Sequence, residues 1–302
     1  MNEVSLAENS PQFAWLEVTG LCNENCHHCY ADSSPKGDHG TMTVRDWVRV
    51  ISQLSDMGTR DVQFIGGEPA LHPYLPALIR YAHASGLSIE VFSNMTHIRA
   101  ELWDVFGACG VKIATSYYSD SAEEHDAVTK LRGSHKRTRE NIAKALSLGI
   151  PLRGGVVAVR PEQRVREATR DLLSLGVEQV GGDRTRAFGR GGKGAAPAIA
   201  DLCGHCGHDK CAIGPNGDVW PCVLGRFLKV GNVREAPLAE IWGGLRWGEV
   251  LADIRAVHGE GVRSCTPPQF LPMCGPCSPC VPSVGHCDPK EAESAATIGP
   301  PV

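Results

Sequence analysis

The chain has 302 residues, 42% of them apolar, with a net charge of −4 and a pI near 6.3. That length can bury a large core with a smaller unit beside it, and the mild acidity argues against general affinity for nucleic acid or an anionic membrane. The N-terminus has no cationic start before an apolar run and no later run could span a bilayer, so a soluble, cytoplasmic protein is expected.

In chain order, residues 1–12 form an extension, and Phe13 to Thr19 reads as an apolar strand. Immediately after it, Cys22, Cys26 and Cys29 fall within eight residues. A capping box opening at Thr43 starts a helix that buries Trp47, Val50, Ile51 and Leu54 and closes at Gly58. A short strand over 62–65 follows, then a helix after Pro73 and a strand over 87–92. Helix 100–106, strand 111–115 and helix 137–148 come next, with Gly149 ending the last. Strands at 156–159 and 177–180 flank a helix over 164–175.

Six strands alternating with helices predict an α/β fold of parallel βαβ units with right-handed crossovers. Periodicity alone leaves open a doubly wound sheet and a partial barrel. In either, chemistry gathers at the C-terminal strand ends, where the three-thiol loop lies. Residues 186–200 are rich in Gly, Ala and Pro and read as a linker. The segment 201–287 has many prolines and nine cysteines, so metal or packing on the larger unit must order it. Residues 288–302 are expected to be a disordered tail.

Thirteen cysteines, an odd number, fit poorly with a closed disulfide set and suit metal binding in a reducing compartment. Besides the N-terminal trio there are Cys203, Cys206, Cys211 and Cys222, then Cys265, Cys274, Cys277, Cys280 and Cys287. Cys109 alone reads as a buried small apolar side chain. Three thiolates can hold three corners of an iron–sulfur cube and leave one iron open to another ligand. Zinc, with His27 or His28 as the fourth ligand, is the alternative at the trio. A zinc ribbon from Cys203, Cys206, Cys211 and Cys222 is the alternative farther along.

The C-x3-C-x2-C loop, with a ring at His28 before its last cysteine, resembles the signature of the radical S-adenosylmethionine (SAM) enzymes. Gly66-Gly67-Glu68-Pro69 looks like that family's GGEP element, and Ser93-Asn94 like its strand-end pair. Ser116, His125-Asp126 and Arg132-Gly133 are similar to the region that members with extra clusters carry, although Tyr118-Ser119-Asp120 replaces the usual Asp-Gly. Cys211 to Cys222, with Val230-Gly231-Asn232-Val233 and Leu238 to Trp242, resembles a SPASM domain, and Asn216-Gly217 marks its hairpin turn.

The resemblance implies a (β/α)6 partial barrel over 13–185 and a SPASM-like domain over 201–287. It implies a [4Fe–4S] cluster on Cys22, Cys26 and Cys29, whose open iron chelates SAM. Gly66, Gly67 and Glu68 would contact SAM, with Glu68 near its amino group. His28 would lie near the adenine, Ser116 near the ribose and Arg132 near the carboxylate, with Ser93 and Asn94 also lining the cofactor. The later cysteines would bind one or two auxiliary [4Fe–4S] clusters, with no assignment of thiol to cluster. A flavodoxin or ferredoxin would supply the electron.

The expected activity is hydrogen abstraction by a 5′-deoxyadenosyl radical, most readily on a ribosomally made peptide, with crosslinking, decarboxylation or epimerisation as outcomes. A separate recognition protein could deliver that peptide. The alternatives are a dehydrogenase or epimerase of a sugar or cyclitol, and a non-catalytic iron–sulfur scaffold. Arg184, Arg186, Arg190 and Lys193 read as a solvated loop, or as a recognition site for a carboxylate or acidic peptide.

Overall fold

The computed structural model describes residues 10–204 and 206–258. Cys265, Cys274, Cys277, Cys280, Cys287 and the expected tail lie outside the described residues.

Six parallel strands form the body of the fold: β1 (Phe13–Thr19), β2 (Asp61–Gly66), β3 (Ser88–Phe92), β4 (Lys112–Tyr117), β5 (Leu152–Ala158) and β6 (Gln179–Arg184). Each pairs with its predecessor, so the sheet order is β6-β5-β4-β3-β2-β1 with no reversal. A doubly wound sheet needs a switch point where the order turns back. Stepping always in one direction with right-handed crossovers puts the helices on one face, the winding of a barrel. The barrel does not close, because the free edge of β1 pairs in parallel with β7 (Lys210–Ile213) rather than with β6.

Helices α1 (Val44–Asp56), α2 (Leu75–Ala84), α3 (Ala100–Ala108), α5 (Ser134–Ser147) and α6 (Val165–Ser174) cover the sheet. In α1 the capping box is complete: Asp46 N–H donates to the Thr43 hydroxyl at 3.2 Å and Thr43 N–H donates to the Asp46 carboxylate at 3.0 Å. The helix buries the four expected side chains, Trp47, Val50, Ile51 and Leu54. Cys109, at the end of α3, is buried in the core as expected.

Two strands differ from their sequence pattern. β5 begins four residues early, through Arg153-Gly154-Gly155, and β6 runs on through Gly181-Gly182-Asp183. Glycines weaken a strand signal, but ladder pairing between β5 and β6 overrides that weak propensity. Arg153 also finds a buried partner, donating to both Glu90 oxygens at 2.7 Å. Glu90 in turn accepts from Gln63. This polar layer sits one alternation below the strand ends, on the face that Ile65, Phe92 and Val157 line above it.

The sequence pattern also missed α4 (Ala122–Thr129). Ser121 caps it, yet it is eight residues long and buries only His125, Val128 and Thr129, too short a stripe to declare a period.

The described part of the cysteine-rich segment, up to residue 258, is not a detached unit. Its hairpin of β7 and β8 (Asp218–Trp220) turns at Asn216-Gly217, with Gly217 at φ +87°, and extends the sheet by antiparallel pairing through β9 (Gly231–Asn232). Helix α7 (Leu238–Trp242) packs on α1 and sets Ile241 beside Gly231 of β9, and α8 (Leu245–His258) packs on α7 and on the 3-10 turn over Ile199–Asp201. The hairpin tip docks on the loop after β1, where Thr41 and Met42 N–H groups each donate to Pro215 O at 3.0 Å. The expected linker is likewise structured in part: Phe188 is buried and 189–192 form a 3-10 turn against the body. No helix among the described residues is long and apolar enough to cross a membrane.

Candidate active site

All six strands of the arc deliver residues from their C-terminal ends to one cavity enclosing about 790 Å³ of empty space, its open mouth included. The loop after β1 contributes Cys22, Glu24, Cys26, His28 and Cys29. β2 ends there in Gly66-Gly67, β3 in Phe92 and Asn94, and β4 in Ser116 and Tyr118. Val157 of β5 and Asp183, Arg184 and Arg186 around the end of β6 complete the ring, with Arg190 beyond them. In a flat sheet, β1 and β6 would stand about 24 Å apart, five strand spacings. Their joint lining of one cavity requires the sheet to curve.

The cysteine loop is held on several sides. Cys22 N–H donates to Ser34 O at 3.1 Å, pinning the loop base. Asn25 and His27 N–H groups donate to Thr129 O at 3.0 Å and Val128 O at 3.3 Å, the last carbonyls of α4, which no residue of that helix can satisfy. The unforeseen helix is therefore a support of the loop. Glu24 N–H reaches the Cys22 sulfur at 3.4 Å and the Asn94 amide reaches it at 3.8 Å. These donors stabilise a charged sulfur. Burial pushes the Cys22 and Cys26 thiols up, so metal must displace their protons. Burial also raises Glu24, to about 8, and it accepts from the Cys26 thiol at 3.2 Å.

The two glycines of GGEP serve the protein's own backbone. A Cβ on Gly66 would lie 2.3 Å from Thr19 O and one on Gly67 would lie 2.2 Å from Leu21 O. Gly67 and Glu68 N–H groups donate to those same oxygens at 2.7 and 2.8 Å. Glycine is needed here so that β2 can run into contact with the base of the cysteine loop.

Glu68 follows the cavity-lining Gly66-Gly67 but is not itself among the lining residues. Its side chain is fully buried behind the cavity wall, accepting from Ala70 N–H at 2.9 Å, Ser93 Oγ at 2.8 Å and Asn94 N–H at 2.7 Å. Burial raises it to about 7 against those donors. Glu68 and the buried Ser93 thus fix the end of β3 and aim Asn94 at the cysteine loop. Arg132 does not line the cavity either: it is exposed and stands in the α4–α5 turn, where its carbonyl accepts from Arg137 at 3.2 Å. Asp126 organises this turn, accepting from Gly133 N–H, from Ser134 Oγ at 2.9 Å and from His135 N–H at 2.9 Å.

His28 stands in the cavity wall, edge-on to Tyr118 with ring centroids 5.1 Å apart. Its Nδ1 is buried without a hydrogen-bond partner, and burial lowers the ring to about 4, so it is a neutral, flat surface with an unanswered polar atom. That suits a heterocyclic ligand. The reading of 184–193 as a solvated loop fails for Arg186, which pairs with Asp183 at 2.9 Å in the cavity wall, and for Arg190, which lines the same wall. Glu24 and the α4 carbonyls were not legible: a buried acid between thiols and a contact from 100 residues away leave no mark in local spacing.

Behind the arc, the Cys206 and Cys222 sulfurs approach to 3.2 Å. Hydrogen bonds from Cys203 and Cys222, then burial, push Cys206 up, so three thiols share one neighbourhood. Cys211 is buried on β7 and raised to about 12 by burial.

Residues 16–180 match the model of the radical SAM superfamily, and residues 203–280 match an iron–sulfur cluster-binding domain, SPASM. The chain is similar to the subtilosin biosynthesis protein AlbA of Bacillus subtilis, 27% identical over 184 residues that cover 60% of this chain and 41% of AlbA. It therefore spans less than half of that relative's length. It is also similar to the mycofactocin maturase MftC of Mycobacterium tuberculosis, 26% identical over 91% of this chain and 84% of MftC. Among solved structures, Streptococcus suis SuiB bound to its precursor peptide SuiA shares the fold, with a TM-score of 0.69 at 16% identity over 81% of this chain and 67% of SuiB. A match over more than half the chain, on an arc whose six strand ends meet around three thiols, settles the relationship: the chain belongs to the radical SAM superfamily and carries a SPASM-type iron–sulfur domain after its barrel.

Proposed function

We propose that this chain is a radical SAM maturase that modifies a side chain or Cα of a ribosomally made peptide. The observation that carries this reading is the single cavity at the strand ends with Cys22, Cys26 and Cys29 in its wall. The similarity to a PqqA peptide cyclase of Xanthomonas axonopodis, 25% identical over 77% of this chain and 74% of that protein, supports a peptide as the substrate.

The superfamily's cofactors, SAM and a [4Fe–4S] cluster, suit the residues present. Three soft thiols, with no fourth cysteine lining the cavity among the described residues, match a cube that keeps one iron open. The Asn94 amide and Glu24 N–H lie on the Cys22 sulfur, as a thiolate ligand requires. His28, the Gly66-Gly67 backbone, Asn94 and Ser116 are the candidate SAM contacts. When bound, this pair supplies one-electron cleavage of SAM to a 5′-deoxyadenosyl radical that removes hydrogen from a substrate C–H bond. The protein's own part is enclosure and aim. Ile65, Phe92 and Val157 keep the inner wall dry, while Arg184 and the Arg186–Asp183 pair form the polar wall that an entering substrate meets. Cys203, Cys206, Cys211 and Cys222, with thiols from 265–287, are the candidate ligands of one or two auxiliary clusters. A flavodoxin or ferredoxin is the proposed reductant, and a separate recognition protein the proposed carrier of the peptide.

Anaerobic reconstitution followed by dithionite and SAM tests the reading. 5′-Deoxyadenosine is expected, and a chain with Cys22, Cys26 and Cys29 all changed to Ala should give none while keeping iron in its C-terminal region. Zinc at the trio, or no product from the unaltered chain, overturns it. A short peptide encoded beside this gene and co-expressed with it should change mass, and an unchanged mass rejects that substrate.

A further inference from the structure

The stretch after β6 is the one most at odds with its composition. Instead of spanning solvent, the 3-10 turn over Gly189–Gly192 lies against the cysteine loop. Gly189, at φ +51°, would place a Cβ 2.5 Å from both Cys29 O and Tyr30 O, and Gly191 would place one 3.1 Å from His28 O. Glycines let the turn approach that closely. Between them, Arg190 donates through its backbone N–H to Cys29 O at 3.0 Å, through Nε to Cys26 O at 2.8 Å and through Nη2 to Ser33 O at 2.6 Å.

One residue therefore answers three carbonyls of the loop, spaced across eight positions that contain two of its three thiols. A guanidinium holds its donors in a fixed plane, so these bonds set the positions of the carbonyls relative to one another. It is also a permanent cation in the cavity wall. Other charges near the loop are the buried Glu24 and Glu68, which bear on Cys22, Arg137 and Asp126 beside Glu24, Lys130 and Arg160 beside His27, Arg184, and the Arg186–Asp183 and Arg226–Glu17 pairs.

We propose that Arg190 is a positioning residue for the N-terminal cluster: it braces the loop through three carbonyls, and its fixed positive charge makes the cluster easier to reduce. The proposal rests on Cys22, Cys26 and Cys29 as cluster ligands. Reduction adds a negative charge, and a cation at close range favours the more negative state.

The test uses the anaerobically reconstituted full chain and two measurements other than turnover. Hydrogen–deuterium exchange reads the amides of residues 25–34, and a redox titration followed by electron paramagnetic resonance reads the SAM-responsive cluster. Arg190→Gln should exchange roughly tenfold faster in that loop, as expected on losing a charge-assisted hydrogen bond. Exchange in β3 should stay the same, and the midpoint potential should move to a more negative value. Arg190→Lys should keep the potential near that of the unaltered chain while the loop still exchanges faster. Unchanged exchange and potential in Arg190→Gln overturn the proposal. Should that variant hold no iron, unaltered loop exchange in Arg190→Lys overturns it instead. Absence of any SAM-responsive cluster in the unaltered chain defeats the functional reading, and the exchange measurement still decides the brace.

Discussion

Replacing Gly67 with alanine places a methyl carbon 2.2 Å from Leu21 O, 2.6 Å from Leu21 C and 2.9 Å from Gly20 O. All three are backbone atoms at the root of the cysteine loop, so no side chain can swing aside. β2 or the loop has to move, and the bonds from Gly67 to Thr19 O and from Glu68 to Leu21 O go with it. Two buried backbone hydrogen bonds at about 1 kcal/mol each, plus about 1–3 kcal/mol of overpacking, sum to about 3–5 kcal/mol. That approaches the whole stability of a marginal domain. Gly86→Ala is the matched control: Gly86 sits at φ +80° with nothing within 4 Å of a new Cβ, so only the left-handed penalty of about 1–2 kcal/mol applies. Urea unfolding of both variants, with iron per chain after reconstitution, separates the two costs. The close-approach argument is refuted if Gly67→Ala unfolds no more easily than Gly86→Ala and keeps its full iron.

Acid should weaken the fold through His125, which burial lowers to about 3. The unfolded imidazole takes its proton near pH 6.5, so between about 6.5 and 3 the unfolded state binds more protons and stability falls with pH, by about 2 kcal/mol at pH 5. Buried Glu24 and Glu68, raised to about 8 and 7, act in the opposite direction over this window, so the test is the difference between chains: the urea midpoint of His125→Phe should fall less, or rise more, between pH 7 and pH 5 than that of the unaltered chain, and an identical pH response rejects it. Arg226→Met should leave the Glu17 carboxylate, fully buried on β1, without its ion-pair partner. Since Arg226 is itself only half-buried, about 2–3 kcal/mol is expected, below the roughly 3–5 kcal/mol of a wholly enclosed pair, with Glu17→Gln in the same chain restoring part of it. Unfolding of the two variants within about 0.5 kcal/mol of each other would show that the pair carries no such penalty.

Much of this protein is written locally. Thr43 and Asp46 declare the start of α1, apolar runs declare β1 to β4, Asn216-Gly217 declares the hairpin, and the spacing of Cys22, Cys26 and Cys29 declares soft-metal chemistry, because each depends on residues a few positions apart. Contacts between distant stretches were not legible. The open partial barrel was decided by which strand takes the free edge of β1, and β7 arrives there from nearly 200 residues away. Glu68 is held in the wall by three donors, two of which come from the end of β3. A glycine-rich run became a brace because Arg190 meets carbonyls 157 and 164 positions upstream. Composition and period govern what a segment can bury, while curvature of the sheet governs which segments meet, and only the folded chain fixes the second.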